Sequence, residues 1–328
     1  TGHSKDGRNF VDEAVSKGAA VIVSDPGLRV PGDIIKVSVP DVRGALAVIA
    51  KNFYKDPSSK LKVVGITGTN GKTTITYLIE GIAGKTGARS GVIGTINYRS
   101  NGISRPAKNT TPGVLELQKL LSEMVDDGVM YAAMEVSSHA LDQGRVSGVG
   151  LDIGLFTNIT SDHLDYHKTR AEYFKAKSKI FGHLKDGGIA ILNYDDELVR
   201  SLKGSVKTRT LTYGTGQGSD IRALNIKLSS GGSSFDVSMP KMKLSVNTRL
   251  IGMHNVSNCL AAIATMYTLG LDRRSITEGI GSVVSIPGRL EPVDAGQSFK
   301  VLVDYAHTED ALNNVLSILK SISERKVW

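Results

Sequence analysis

A lysine and a hydroxyl directly after a glycine-rich turn can hold a transferable phosphate, and this chain has such a set in GTNGKTT, residues 68–74. Glycines at 68 and 71 let the backbone turn its N–H groups inward around phosphate oxygens, and the positive end of a following helix adds to their pull. Lys72 is long enough to reach the outermost phosphate, and the Thr73 hydroxyl can serve Mg2+. Gly68, Thr69, Asn70, Gly71, Lys72, Thr73 and Thr74 are therefore the predicted ATP-binding run. A glycine-rich turn without a ligand is the alternative, but the apolar strand KVVGIT before the run and the helical pattern after it favour a phosphate loop. The general phosphate-loop pattern has its first glycine where this chain has Ile66, so the loop is of a shorter form.

Further runs could complete a phosphoryl-transfer site. In MEVSSHALDQGRV, residues 134–146, Glu135 ends an apolar strand, where its carboxylate can hold a divalent cation beside the loop; the plain alternative is a cap on the next helix. TNITSDHLDYHKTRAEYFKAKSKIF, residues 157–181, also starts at a strand end and gathers histidines and carboxylates in DHLDYH. Its KAKSK lysines, taken alone, read as solvated surface lysines. NTTP, residues 109–112, sets a carboxamide and two hydroxyls at a helix start, as a neutral pocket for a sugar or peptide carboxylate, as an N-cap at Thr111, or as both. Arg145 has the fork that binds two oxygens of a carboxylate or phosphate. Weaker nucleotide contacts are read from GMHNVSN, PGRLE and DYAHTEDAL. There the Asn258 carboxamide can read an adenine edge, Arg289 can hold phosphates and Asp304 can bind ribose hydroxyls. Cys259 sits in an amphipathic helical pattern and reads as a core thiol rather than a nucleophile.

The short loop TGTNGKT, with these runs in this order along nearly the whole chain, resembles the Mur ligase family and its folate-ligase relatives. NTTP and DYAHT followed by DAL resemble the muramoyl-dipeptide branch of that family. The resemblance implies an ATP-dependent amide ligase that adds a diamino acid, meso-diaminopimelate or L-lysine, to UDP-N-acetylmuramoyl-L-alanyl-D-glutamate through an acyl phosphate, in peptidoglycan precursor synthesis. It implies two Mg2+ sites drawing on Thr73, Glu135, His163 and a carbamylated Lys177, with Lys72, His163 and Lys177 catalytic. A lysine cation would repel Mg2+, whereas CO2 added to its neutral amine gives an anionic oxygen ligand. Lys175 and Lys179 then point to other faces of the helix, and Asp165 and His167 shape the loop. Asn109, Thr110, Thr111, Ser137, Gln143 and Arg145 are implied to contact the muramoyl peptide. His3, in GHSKDG at residues 2–7, is implied to touch the uridine diphosphate. The chain departs from the family pattern at Ser161, Lys168 and Glu309, none of them an implied ligand. The rival readings are a folylpolyglutamate synthase-like ligase and a non-catalytic scaffold of the same fold. The segment before the loop, NTTP and DYAHT speak against the first. Intact Lys72, Thr73, Glu135, His163 and Lys177 speak against the second.

To position these residues the chain must alternate strands and helices, and it does: apolar runs at residues 91–96, 130–136, 152–159 and 188–193 are separated by helical segments. The fold class predicted is α/β, a central phosphate-loop domain with a mostly parallel sheet and flanking helices, residues 41–290. A partial N-terminal α/β domain precedes it at 1–40, and the start of a Rossmann-like domain follows at 291–328. Residues 208–251 alternate polar and apolar runs around SSGGSS and predict an antiparallel meander. Both ends read as truncated. The 328 residues carry a formal net charge of +8, spread along the chain rather than clustered with aromatics, which points to small polyanionic ligands and away from nucleic acid. No apolar run nears the roughly 20 residues that span a bilayer. With no secretion signal at its start and one cysteine, the chain is expected to be cytoplasmic and monomeric, working on small-molecule substrates.

Overall fold

The structure is a computed structural model and describes residues 6–160, 162–307 and 309–322. His3 and Ser161 therefore lie outside the described residues. The chain opens with a helix α1 (Val11–Ser16) and two strands, β1 (Val21–Ser24) and β2 (Ile35–Ser38), which pair in parallel. Helix α2 (Val42–Phe53) follows, capped by Asp41, whose carboxylate accepts from the N–H groups of Arg43 and Gly44. Next come β3 (Lys62–Thr67), α3 (Lys72–Lys85), β4 (Ser90–Ile93), the hairpin strands β5 (Asn97–Ser100) and β6 (Ile103–Pro106), α4 (Val114–Asp126), β7 (Tyr131–Glu135) and α5 (Ser138–Asp142). The chain continues through β8 (Leu151–Phe156), α6 (Leu164–His167), α7 (Arg170–Ser178), β9 (Leu184–Asn193), α8 (Glu197–Ser201) and β10 (Thr210–Gly214). It closes with β11 (Ile221–Ser229), β12 (Gly232–Met239), β13 (Met242–Thr248), α9 (Met253–Thr268), α10 (Arg273–Ser282), β14 (Glu291–Val293), β15 (Val301–Val303) and α11 (Glu309–Ile322).

Eleven strands form one sheet in the order β13-β12-β11-β10-β9-β8-β3-β7-β4-β5-β6, parallel from β11 to β4 and antiparallel at both edges. The central strand β3 is buried from Val63 to Thr67 because helices cover both of its faces, the condition under which parallel strands read as continuous apolar runs. Alternate side chains serve different layers. Val64 and Ile66 pack with Ile75, Leu78 and Ile82 of α3 and with α9, while Val63 packs with Leu117 and Leu121 of α4. Each such residue, fully buried, contributes about 1.5–3 kcal/mol. Among the described residues no helix is long and apolar enough to cross a membrane.

Two sequence expectations change. Residues 208–251 are not a self-contained meander. β10 runs parallel to β9 because the α8 crossover returns the chain in the same direction, and only β11 to β13 are antiparallel, extending the main sheet. Thr111 is not the cap of α4 either. That place belongs to Gly113, and the Thr111 side chain is turned elsewhere.

Candidate functional site

Strand order decides what meets. β3 lies between β7 and β8, and β4 lies beyond β7, so the loops that leave the carboxyl ends of four adjacent parallel strands open on one crevice, where ligands bind in open α/β sheets. A cavity of about 730 Å3 lies there. The phosphate loop leaves β3 and is held by the loop after β8. Asn70 N–H donates to Asn158 Oδ1 (2.9 Å), Thr157 Oγ1 donates to Asn70 O (2.6 Å), and Thr69 N–H donates to Asn158 O (2.9 Å). The approach is close enough to require glycine: a Cβ on Gly68, whose φ is +135°, would lie 1.9 Å from Thr157 Oγ1. Gly71, at φ +90°, ends the loop and lets Asn258 of α9 come against it. Lys72 Nζ folds back to the carbonyls of Gly68 (2.9 Å) and Thr69 (2.8 Å), which curls the loop around its own ammonium. Burial lowers the Lys72 pKa, Glu135 and Asp162 pull it back up, and Arg289 adds to the lowering.

Glu135 ends β7 and is 1% exposed. Its Oε1 accepts from Thr73 Oγ1 (3.0 Å) and from Thr95 N–H (2.9 Å), and its Oε2 accepts from Thr95 Oγ1 (3.0 Å). It does not cap the next helix, since Ser137 does, accepting from Ala140 N–H. The 109–111 loop hangs on the same strand end. Thr111 Oγ1 donates to Glu135 O (2.9 Å) and accepts from Ser137 N–H (3.0 Å), while Thr110 Oγ1 lies 3.1 Å from Thr95 Oγ1. Arg145 donates twice to Gln143 Oε1 and once to Thr111 O, so three of its five N–H groups are engaged, one of them on this loop.

Lys177, on α7, is 2% exposed, with Nζ donating to Gly68 O (2.8 Å) and standing 4.5 Å from the centre of the Tyr173 ring. Burial holds its pKa well below the usual lysine range, the Lys72 cation lowers it further, and Asp162 opposes both. His163 sits at φ +52° with its N–H on Asp162 Oδ1 (2.8 Å) and its ring edge-on to His139 at 4.9 Å. His167, 6% exposed, packs behind it on Tyr173, with a ring-centre separation of 5.3 Å. Lys179 makes an ion pair with Asp142 (2.7 Å) rather than standing free in solvent.

The Mur ligase middle-domain model matches residues 66–266. The chain belongs to the Mur ligase family. Over 333 aligned residues it is 44% identical to the UDP-N-acetylmuramoyl-L-alanyl-D-glutamate–2,6-diaminopimelate ligase of Geobacillus kaustophilus, covering all of this chain and 68% of that protein. A solved UDP-N-acetylmuramoyl-L-alanyl-D-glutamate–2,6-diaminopimelate ligase superposes with a TM-score of 0.82 at 30% identity, over 98% of this chain and 66% of that one. Folylpolyglutamate synthase of Mycobacterium tuberculosis, complexed with ADP, shares the fold, with a TM-score of 0.70 at 19% identity over 85% of this chain and 70% of that one.

In this Mur ligase the cavity wall brings together the loop from Thr69 to Thr74 with Thr110, Glu135, Ser137, His163, Lys177, Asn258, Arg289 and Asp304. Gly68 contributes through its carbonyl, which takes both Lys72 and Lys177. Asn109, Thr111, Gln143 and Arg145 are not on that wall. Thr111 is 1% exposed and braces the loop from behind. The sequence reading missed Thr95, Asn158, Thr160 and Asp162, all of which line the cavity. For Thr160 and Asp162 the available signal was position after a parallel strand, whereas Thr95 and Asn158 fell inside the strand runs read at 91–96 and 152–159, which end at Ile93 and Phe156. Arg289 Nη2 donates to Thr73 Oγ1 (3.3 Å), and the Asp304 carboxylate accepts from Leu290 N–H and Ala306 N–H (both 2.8 Å).

The oxygen set suits Mg2+. Thr73 and Glu135 offer a hydroxyl and a carboxylate side by side at a helix start, and among the described residues the buried hydroxyls of Ser138 and Thr160 on the same wall have no partner. Among the described residues no three His, Cys, Asp or Glu side chains are gathered closely enough to hold a metal.

Proposed function

We propose that this protein is an ATP-dependent ligase that joins a diamino acid to the D-glutamyl γ-carboxylate of UDP-N-acetylmuramoyl-L-alanyl-D-glutamate, a cytoplasmic step of peptidoglycan precursor synthesis performed by a monomer. The observation that carries this reading is one cavity holding a phosphate loop, a carboxylate–hydroxyl pair and the 109–111 loop, in a chain 44% identical along its whole length to a ligase of that name. Diaminopimelate is the amine that this relative's name favours, with L-lysine as the alternative. The folylpolyglutamate synthase-like reading has fold alone behind it. Residues 1–40, 41–290 and 291–328 would be part of a uridine-diphosphate-binding domain, the ATP domain and the beginning of the amine-selecting domain.

Gly68 to Thr74 would seat the ATP phosphates, with Lys72 turned from its loop carbonyls onto the transferred group. The carboxylate oxygen attacks that phosphorus and ADP leaves, giving an acyl phosphate. The amine nitrogen then attacks the acyl carbon, inorganic phosphate leaves, and the nitrogen loses a proton to give the amide. Two anions must meet in the first step, so charge neutralisation is the main demand. Thr73, Glu135, His163 and a carbamylated Lys177 would hold two Mg2+ ions, whose charge offsets that of the phosphates. Lys177 is suited to take up CO2 because burial, and then the neighbouring Lys72 cation, favour its neutral amine, the form that reacts. Asn258 would meet the adenine, Asp304 the ribose and Arg289 the phosphates. Asn109, Thr110, Ser137, Gln143 and Arg145 would form and brace the peptide site, and His3 would touch the uridine diphosphate.

The test is phosphate release by the full-length protein with ATP, Mg2+ and UDP-N-acetylmuramoyl-L-alanyl-D-glutamate, run with diaminopimelate, with lysine and without amine. Release that depends on one amine is the expected result. Release only with a folate and glutamate, or ATP binding with no substrate-dependent release, overturns it.

A further inference from the structure

Thr95 stands at the turn out of β4 and touches both halves of the site. The pairing of Ile93 with Met134 brings this turn level with the end of β7, and Gly94 makes room, since a Cβ there would lie 2.5 Å from Glu135 Oε1. Thr95 then holds both Glu135 oxygens, one through its N–H (2.9 Å) and the other through its hydroxyl (3.0 Å). A carboxylate only accepts, so the Thr95 proton is committed to Glu135, and the 3.1 Å contact with Thr110 must be donated by the Thr110 hydroxyl. Thr110 is thereby left with lone pairs for the cavity, set to accept from a ligand N–H or O–H. From three residues further on, Tyr98 grips the same loop, its hydroxyl donating to Asn109 O (2.6 Å) and accepting from Asn109 N–H (3.2 Å).

We propose that Thr95 is a positioning residue that couples the two halves of the site: the chain Thr110→Thr95→Glu135 fixes the metal-facing carboxylate and the polarity of the peptide-facing hydroxyl together. This rests on the ligase reading above. A ligand that takes Thr110 shifts the geometry of Glu135, and a cation on Glu135 shifts the affinity for that ligand by the same factor.

Calorimetry on the full-length protein tests this with two titrations, ADP against rising Mg2+, and UDP-N-acetylmuramoyl-L-alanyl-D-glutamate, each with and without the other ligand. Thr95→Val, which keeps the shape and loses the hydroxyl, should raise the half-saturating Mg2+ and the muramoyl-peptide Kd each about tenfold and remove their mutual dependence, with Mg2+-free ADP binding unchanged. Thr95→Ser should restore both to within about threefold. Thr110→Val, which does not touch Glu135, should still shift the Mg2+ requirement in the same direction. Wild-type values in Thr95→Val, equal losses in the Ser and Val variants, or an unmoved Mg2+ requirement in Thr110→Val overturn the coupling. A wild-type protein that binds no muramoyl peptide sinks the ligase reading instead, and the Mg2+ titrations still decide whether Thr95 sets Glu135.

Discussion

Replacing Lys177 should abolish ligation and at the same time stabilise the protein at neutral pH. The side chain is 2% exposed, its Nζ has one acceptor, Gly68 O at 2.8 Å, and among the described residues it makes no ion pair. Burial and the Lys72 cation lower its pKa well below the ordinary 10.5. Between that lowered value and 10.5 the unfolded chain binds a proton that the folded chain does not, so stability rises with pH across the window and levels off above 10.5. At pH 7 this costs the fold about 1.4 kcal/mol for each pH unit between 10.5 and the lowered value, or between 10.5 and 7 where that value lies below 7. Lys177→Met, of similar length and without the amine, should therefore melt higher than wild type at pH 7 in CO2-free buffer, by a margin that shrinks toward pH 10.5. Its phosphate release should fall on the order of 10³-fold, about 4 kcal/mol of transition-state stabilisation. Lys177→Ala should lose as much and regain part of it with formate or acetate, which supply the missing oxygen. Full turnover by Lys177→Ala refutes the catalytic role. A Lys177→Met protein that melts no higher at pH 7 refutes the buried neutral amine.

Lys72→Ala should cost on the order of 10³-fold in phosphate release, since its ammonium lies within the curl of the phosphate loop on the carbonyls of Gly68 and Thr69, and near-normal turnover would remove it from the mechanism. Gly94→Ala forces a methyl to within 2.5 Å of Glu135 Oε1. The Mg2+ needed for half-maximal rate should rise about tenfold while thermal stability drops by about 1–3 kcal/mol, and an unchanged Mg2+ requirement would show that the carboxylate is not the cation's holder. Cys259 is fully buried and its thiol pKa is pushed up to about 12 by burial. Thiol reagents should leave it untouched until the protein unfolds. Stability should fall as pH rises above 9, where only the unfolded thiol ionises, and rapid native labelling would contradict the burial.

The sequence revealed what local pattern controls. GTNGKTT after KVVGIT, and the acidic end of MYAAMEV, could be placed on a loop and a strand end because period and punctuation are local properties. Thr95 could not, because its contact with Glu135 depends on β4 lying next to β7 in the register Ile93 to Met134, and nothing within either segment records which strand is its neighbour. The direction of β10 was lost for the same reason, since alternation marks a strand without giving its partner's direction. Arg145 shows the converse limit. Its residue type predicts an oxygen-binding fork, and it has one, but Gln143 and Thr111 occupy three of the five donors, so its residue type alone overstated its freedom.

Asp304 carries the same lesson into the mechanism. Its expected ribose contact competes with two backbone bonds, from Leu290 and Ala306, that join the Pro287–Glu291 connection to the start of the last α/β segment. Leu290 is a branched residue held at φ +47°, a conformation that costs about 1–2 kcal/mol and that the Asp304 bond offsets. A carboxylate has about four lone-pair sites, so two remain for hydroxyls. Arg289, the neighbour of Leu290, reaches Thr73 at the head of α3. The proposed ribose contact at Asp304, the proposed phosphate contact at Arg289 and the setting of this connection are therefore linked through adjacent residues, and Asp304→Asn should disturb all three. It keeps an acceptor for one N–H and turns a donor on the other, so nucleotide affinity and the protease resistance of residues 287–291 should fall together. Loss of affinity with the connection unchanged would separate the roles and leave Asp304 a ribose ligand only.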